Sequence, residues 1–359
     1  MLVHICCSVD SHFFLQRLQR EFPQETLRGF FYDPNIHPYS EYKLRLLDVQ
    51  RSCKKLGIEL IEGEYDVENW IESVRGLEHE PEKGARCEVC FDKRFEVSGH
   101  KALELGEDKF TTTLLVSPLK SQQQLKASGE RFSKEHNIDF IYLDYRSDGG
   151  TQVQSQVSRD EQLYRQNYCG CVYGLNMQRE QQDKLADELM MPIDGRVLPG
   201  SVDERLAFYE RRMEIEEQNI QYKIVKQKFL NYRILSGRLL FGKKVVPSFF
   251  LHYSTLQREK VQGRIEFSHE GVHYLNRDEV RLIEIEKFNE LAGSSYRSVK
   301  ELMQSPLNIA IELKVREKIL QNSYDLSPII VIDKIEDGKI SIELKSKHFE
   351  DTTEVLIPL

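Results

Sequence analysis

The first half of this sequence predicts an α/β fold, a mainly parallel sheet with helices on both faces. Two observations carry that expectation. Short apolar runs alternate with helical stretches of about ten to fifteen residues, and chemically loaded residues fall where those runs stop, at the strand ends that serve as working sites in such sheets. Leu2–Cys6 reads as a strand, and Ser11–Glu21 as a helix through Phe13, Phe14 and Leu18. Leu27–Tyr32 is a second strand, and Ser40–Leu56 a helix carrying Leu44, Leu47 and Val49. A strand at Glu59–Glu62, a helix at Val67–Arg75 and a helix running through Cys90–Leu105 follow. The strand Phe110–Val116, the helix Ser121–His136 and the strand Ile138–Tyr145 complete the alternation.

Met191–Ser201 concentrates Pro and Gly between helical stretches, which divides the chain into a first domain, 1–195, and a C-terminal α+β domain, 196–359. In the second part Asp203–Glu217 is a charged helix, and Tyr222–Ile265 mixes strand-like runs with basic residues. Ser305–Pro306 reads as an N-cap and first helical position opening a helix to Gln321. Ile329–Ile332, the Asp337–Gly338 turn and Ile340–Leu344 read as a β-hairpin.

With 359 residues, 40% hydrophobic and 30% charged, the chain can build real cores, which excludes disorder, collagen and a disulfide mini-scaffold. It lacks the roughly 18 consecutive apolar residues of a membrane span and a secretory leader, so a cytoplasmic protein without a membrane partner is expected. A net charge of −8 gives no global attraction for nucleic acid, so RNA would need a local basic patch. Between Tyr222 and Arg264 basic residues recur against the single acid Glu259, with Tyr222, Phe229, Tyr232 and Phe241 interleaved. That pattern makes Lys223, Lys226 and Arg233 candidate tRNA contacts. The plainer reading makes the aromatics core and the lysines solvated.

Six of the seven cysteines form tight pairs, Cys6/Cys7, Cys87/Cys90 and Cys169/Cys171, and none follows Cys171. An odd count without a leader argues against a disulfide framework and for metal or redox chemistry. Six thiolates with Asp10 close by exceed one four-ligand site, which suggests a second metal or an open position. A four-thiolate zinc site with spare core cysteines is the bland alternative. The loop Cys6–Ser11 has no glycine to cradle phosphate, although a helix N-terminus there would stabilise thiolates. Cys53 stands alone in a helix and reads as a small buried side chain.

Five ordered stretches now carry a resemblance. They are His4–Asp10 (HICCSVD), Tyr32–Pro38 (YDPNIHP) with Glu41, Tyr42 and Arg45, Cys87–Arg94 (CEVCFDKR), Thr111–Pro118 (TTTLLVSP) and Leu163–Cys171 (LYRQNYCGC). Over roughly Met1–Asn176 the chain resembles the metal-dependent epoxyqueuosine reductases of the QueH type. The resemblance implies a fold like that of the adenine nucleotide α-hydrolases. The implied activity is two-electron reductive opening of the epoxide of epoxyqueuosine at the tRNA wobble position, the last step of queuosine biosynthesis. It further implies a 4Fe-4S cluster beside a mononuclear metal, expected to be iron. The ligands carried over are Cys6, Cys7, Cys87, Cys90, Cys169 and Cys171, with Asp10 as a carboxylate ligand where many relatives have cysteine; which ones serve which metal stays open. His37 and Tyr164 are candidate proton donors, and Asn35, Arg45, Arg94, Lys120 and Arg165 candidate contacts to tRNA. The partners are tRNA carrying epoxyqueuosine in its anticodon loop and an external electron donor, since no flavin or nicotinamide fingerprint is present. The alternatives are a tRNA-thiolating enzyme of the same fold and a zinc-stabilised RNA-binding module.

Overall fold

The computed structural model describes residues 1–190, 193–277, 279–322 and 324–359. The chain forms two compact units, Met1–Leu189 with Leu206–Gln221, and Met190–Arg205 with Tyr222–Leu359. The Pro- and Gly-bearing segment lies near the first crossing between them; its Met191 and Pro192 are outside the described residues.

The first unit runs β1 (Leu2–Ile5), α1 (Ser8–Glu21), β2 (Arg28–Phe31), α2 (Tyr39–Leu56), β3 (Glu59–Glu62), α3 (Val67–Ser73) and α4 (Ala85–Glu104). It continues with β4 (Lys109–Thr112), α5 (Gln122–His136), β5 (Asp139–Phe140), α6 (Gly150–Asp160) and α7 (Val172–Gln181). The strand order is β3-β2-β1-β4-β5 and every neighbouring pair is parallel. All four β1 residues are buried, as a central parallel strand covered on both faces requires. From β1 the chain winds one way through β2 and β3, then returns to β4 on the other side. Right-handed crossovers therefore place α1 and α2, which pack together, on one face and α4 and α5 on the other. The reversal puts a topological switch point at the carboxyl ends of β1 and β4.

Boundaries shift where side chains compete with the ladder. The strand expected over Phe110–Val116 stops at Thr112, whose hydroxyl accepts the Leu114 N–H at 3.2 Å and turns Thr113–Val116 into a 3-10 turn. Of Ile138–Tyr145 only Asp139–Phe140 pairs. α4 starts at Ala85, which brings Cys87 as well as Cys90 onto its first turns.

α8 (Val202–Glu217) precedes the strands of the second unit, β6 (Tyr222–Phe241), β7 (Lys244–Val246), β8 (Ser248–Phe250), β9 (Lys260–Gly263), β10 (Ile265–His269), β11 (Val272–Leu275) and β12 (Arg281–Glu284). Then come α9 (Ile285–Ala292), α10 (Val299–Gln304), α11 (Ile309–Leu320), β13 (Ile329–Ile332) and β14 (Ile340–Pro358). One sheet is ordered β7-β6-β14-β9 and the other β10-β11-β12-β13-β8. The expected hairpin is not formed: β13 pairs in parallel with β12 and β14 goes to the other sheet, where it pairs with β6. Burial on both faces makes Ile329–Ile332 a central strand rather than a hairpin arm. α11 is capped by Asn308, three residues beyond the Ser305 expected there, and its side chain accepts the Ile311 N–H at 3.0 Å.

Candidate metal centre

Cys6 and Cys7 occupy the turn from β1 into α1, with Cys7 at the extended N-cap position. The Cys6 sulfur lies 3.7 Å from that of Cys7 and 3.6 Å from Asp10 Oδ2. One ligand atom from each of the three falls within 4.8 Å of the others, and all three side chains are buried. The Cys6 N–H donates to Thr113 Oγ1 at 3.4 Å, tying the turn after β1 to the turn after β4. Gln154 of α6 donates to Asp10 Oδ1 at 2.7 Å and fixes the carboxyl. Burial raises the Asp10 pKa, partly offset by hydrogen bonds from Cys6 and Cys7, the Lys120 charge and Gln154.

The other four cysteines lie on α4 and in the loop before α7. On α4, Cys87 accepts the Lys83 N–H at 3.3 Å, and Cys90 one turn on is buried with Cys171 around Trp70, Cys169 packing at their margin. The loop carrying Cys169 and Cys171 is anchored from below. Arg45 donates to the carbonyls of Tyr168 at 3.0 Å and Cys169 at 3.2 Å, and pairs with Glu41 at 2.7 Å. The His37 N–H donates to Gly170 O at 2.8 Å. A hydrogen bond from the Cys171 thiol, then the charges of Lys120 and Arg45, hold Cys169 well below the usual thiol range despite its burial.

Two cations interact electrostatically with the Cys6–Asp10 turn and with the other cysteines. Arg94, one turn beyond Cys90, is buried, pairs with Asp33 and donates to His4 Nε2 at 3.3 Å. Burial opposes its charge, but Asp33, Cys90 and Cys6 more than compensate. Lys120 is likewise kept charged against burial by Cys169, Cys87 and Glu82, and its charge also acts on Asp10. All six paired cysteines and Asp10 therefore share one electrostatic neighbourhood at the switch point. Soft thiolates with one carboxylate suit iron or an iron–sulfur cluster, so the donor set fits the expected groups.

The remaining predicted residues separate. His37 is half-buried, donates from Nδ1 to Asn35 O at 3.1 Å and rests its ring 5.8 Å from Trp70; burial lowers its pKa. Asn35 is buried, with its Oδ1 unpartnered among the described residues. Tyr164 gives its hydroxyl hydrogen to Glu41 at 2.9 Å. Arg165 is exposed, whereas Arg45 and Arg94, expected at phosphate or base, are buried and hold protein groups instead. Arg233, expected on an RNA face, is also buried, donating to Asn231 Oδ1 and to the carbonyls of Tyr232 and Pro199. Lys223 and Lys226 are exposed on β6. Much of the basic excess is balanced by carboxylates: Glu350 pairs with Lys228, Glu343 with Arg238 and Lys260, and Glu336 with Lys244. Sequence reasoning passed over Trp70, Glu82, Thr113 and Gln154; Thr113 alone lay inside a quoted motif.

Buried thiols and a carboxylate at the switch point of a parallel sheet mark an α/β protein with a candidate metal centre. The sequence profile described as epoxyqueuosine reductase QueH matches residues 1–177. The epoxyqueuosine reductase QueH of Helicobacter pylori is 39% identical over 98% of this chain and 98% of its own. That of Haemophilus influenzae is 40% identical over 49% of this chain and 71% of its own, and that of Thermotoga maritima 31% identical over 52% and 95%. The chain belongs to the epoxyqueuosine reductase QueH family. A solved structure, the U34-tRNA thiolase NcsA from Methanococcus maripaludis with its 4Fe-4S cluster, is 16% identical with a TM-score of 0.34, covering 60% of this chain and 73% of that one. A likeness that slight carries no weight. The Helicobacter pylori match spans the second unit as well as the first.

Proposed function

We propose that this chain reduces the epoxide of epoxyqueuosine at the tRNA wobble position to queuosine. Two electrons and two protons enter, both C–O bonds break, a carbon–carbon double bond forms and the oxygen leaves as water. The observation that carries the reading is the buried group Cys6, Cys7 and Asp10 at the end of β1, in a chain of this family; the packing of Cys90 and Cys171 with Cys169 around Trp70 supports it. Cys87, Cys90, Cys169 and Cys171 would supply the four thiolates of one 4Fe-4S cluster. Cys6, Cys7 and Asp10 would hold the single metal, expected to be iron, and leave it an open position. When bound, these groups supply one-electron transfer and Lewis acidity. Around them the protein buries Cys6, Cys7, Cys90 and Cys171, Gln154 orients Asp10, and Arg94 and Lys120 offset the accumulated negative charge. His37, half-buried beside Trp70, is the group assigned to proton delivery.

The electrons come from an external carrier, and the enzyme works on tRNA in the cytoplasm. None of the helices among the described residues is long and apolar enough to cross a membrane. Of the three cations proposed for a tRNA platform on the second unit, Lys223 and Lys226 are exposed. Anaerobic reconstitution with iron and sulfide tests the metal reading. A brown protein holding about five irons per chain is expected; a colourless protein that takes up only zinc would overturn it in favour of a zinc-stabilised RNA-binding module.

A further inference from the structure

Trp70 is the chain's only tryptophan. It is the one buried residue of α3, a short helix whose other side chains are exposed or half-exposed. An indole so placed would ordinarily fill an aliphatic core. Here its buried neighbours are Val74, Cys90 and Cys171, with Cys169 and Tyr173 at the margin and the Tyr173 ring stacked at 6.1 Å. Its Nε1 is a buried donor with no hydrogen bond of full geometry among the described residues, although the Cys90 sulfur already feels it as a donor. Such donors are rare because they lose water without compensation. The His37 ring lies 5.8 Å away, and the sulfur interacting with the indole is that of Cys90, which also interacts with the Arg94 guanidinium.

We propose that Trp70 is a positioning residue of the redox centre: its indole N–H donates to the Cys90 thiolate once the cluster is bound and raises the reduction potential. The inference rests on the reading that the cysteines hold an iron–sulfur cluster. A hydrogen bond to a ligating sulfur withdraws electron density and favours the reduced, more negative state. Trp70→Phe keeps most of the ring and removes only the donor. In the reconstituted full chain its midpoint potential, followed by anaerobic spectropotentiometry at wild-type iron content, is expected to be more negative, by up to about tenfold in the one-electron equilibrium. An unchanged potential would overturn the proposal and leave Trp70 as filler. Wild-type protein gives an independent reading: the single tryptophan's fluorescence is expected to fall in step with iron and sulfide uptake, and emission unaltered by full loading would contradict contact with the cluster. Wild-type protein that binds no iron would instead sink the underlying reading, so the two failures are distinguishable.

Discussion

One oxygen of the Asp10 carboxyl is held by Gln154, 144 residues away, at 2.7 Å, which would fix the other for the proposed metal. Replacing Gln154 with Leu removes that donor without adding charge. Groups that orient a metal ligand are typically worth about 10–100-fold in affinity, so iron binding at Asp10 should weaken by that factor in chelator competition; undiminished affinity would show that Asp10 needs no such support. The buried group of Cys6, Cys7 and Asp10 was legible in the sequence, because cysteines are scarce and their close pairs stand out. Gln154 was not, since an amide on a polar helix carries no signal until the fold sets it against Asp10. Arg45 and Arg94 were misread for the same reason. A cation in a motif looks like a phosphate contact, yet Arg45 braces two carbonyls and Arg94 joins Asp33 to the thiols.

Among the elements, the Cys169–Gly170–Cys171 loop carries the sharpest constraint. Gly170 has φ +103, and an added Cβ would stand 2.8 Å from Ile36 Cγ1 and 3.2 Å from Ile36 Cα. Backbone strain of this kind costs about 1–3 kcal/mol, and here relief would move the two sulfurs. Gly170→Ala should therefore lower iron per chain while leaving the circular dichroism of the helices intact; full iron content would mean the loop yields elsewhere. The alternation of strands and helices that builds the first unit was readable from hydrophobic spacing, which long amphipathic helices express strongly. Short strands were less so. Ile329–Ile332 and Ile340–Leu344 flank an Asp–Gly turn and look like hairpin arms, but partners that arise far earlier in the chain, β12 and β6, claim them.

In the whole molecule, charge is balanced across sequence distances that a linear reading does not span. The basic run from Lys223 to Arg264 meets its acids on β14 and the loop before it, about a hundred residues later. The second unit also buries Glu312, which faces Arg196 at 2.7 Å and accepts the His252 N–H at 2.9 Å. Burial pushes its carboxyl up to about 7 despite Arg196, that N–H and Arg316. The folded state thus holds this proton more tightly than the unfolded chain, whose ordinary value is 4.5. Its contribution to stability is full below pH 4.5 and lost as pH rises through about 7. Glu312→Gln, which cannot ionise, should flatten that part of the stability curve in urea titrations across the window; a variant with the wild-type slope would refute the assignment. The central claim, that three cysteine pairs and Asp10 form one centre that deoxygenates epoxyqueuosine, is tested most directly in tRNA. Anaerobically reconstituted wild-type protein, given a reductant and tRNA from a host that accumulates epoxyqueuosine, should convert it to queuosine by nucleoside mass spectrometry. Full iron content with no queuosine formed would contradict the account.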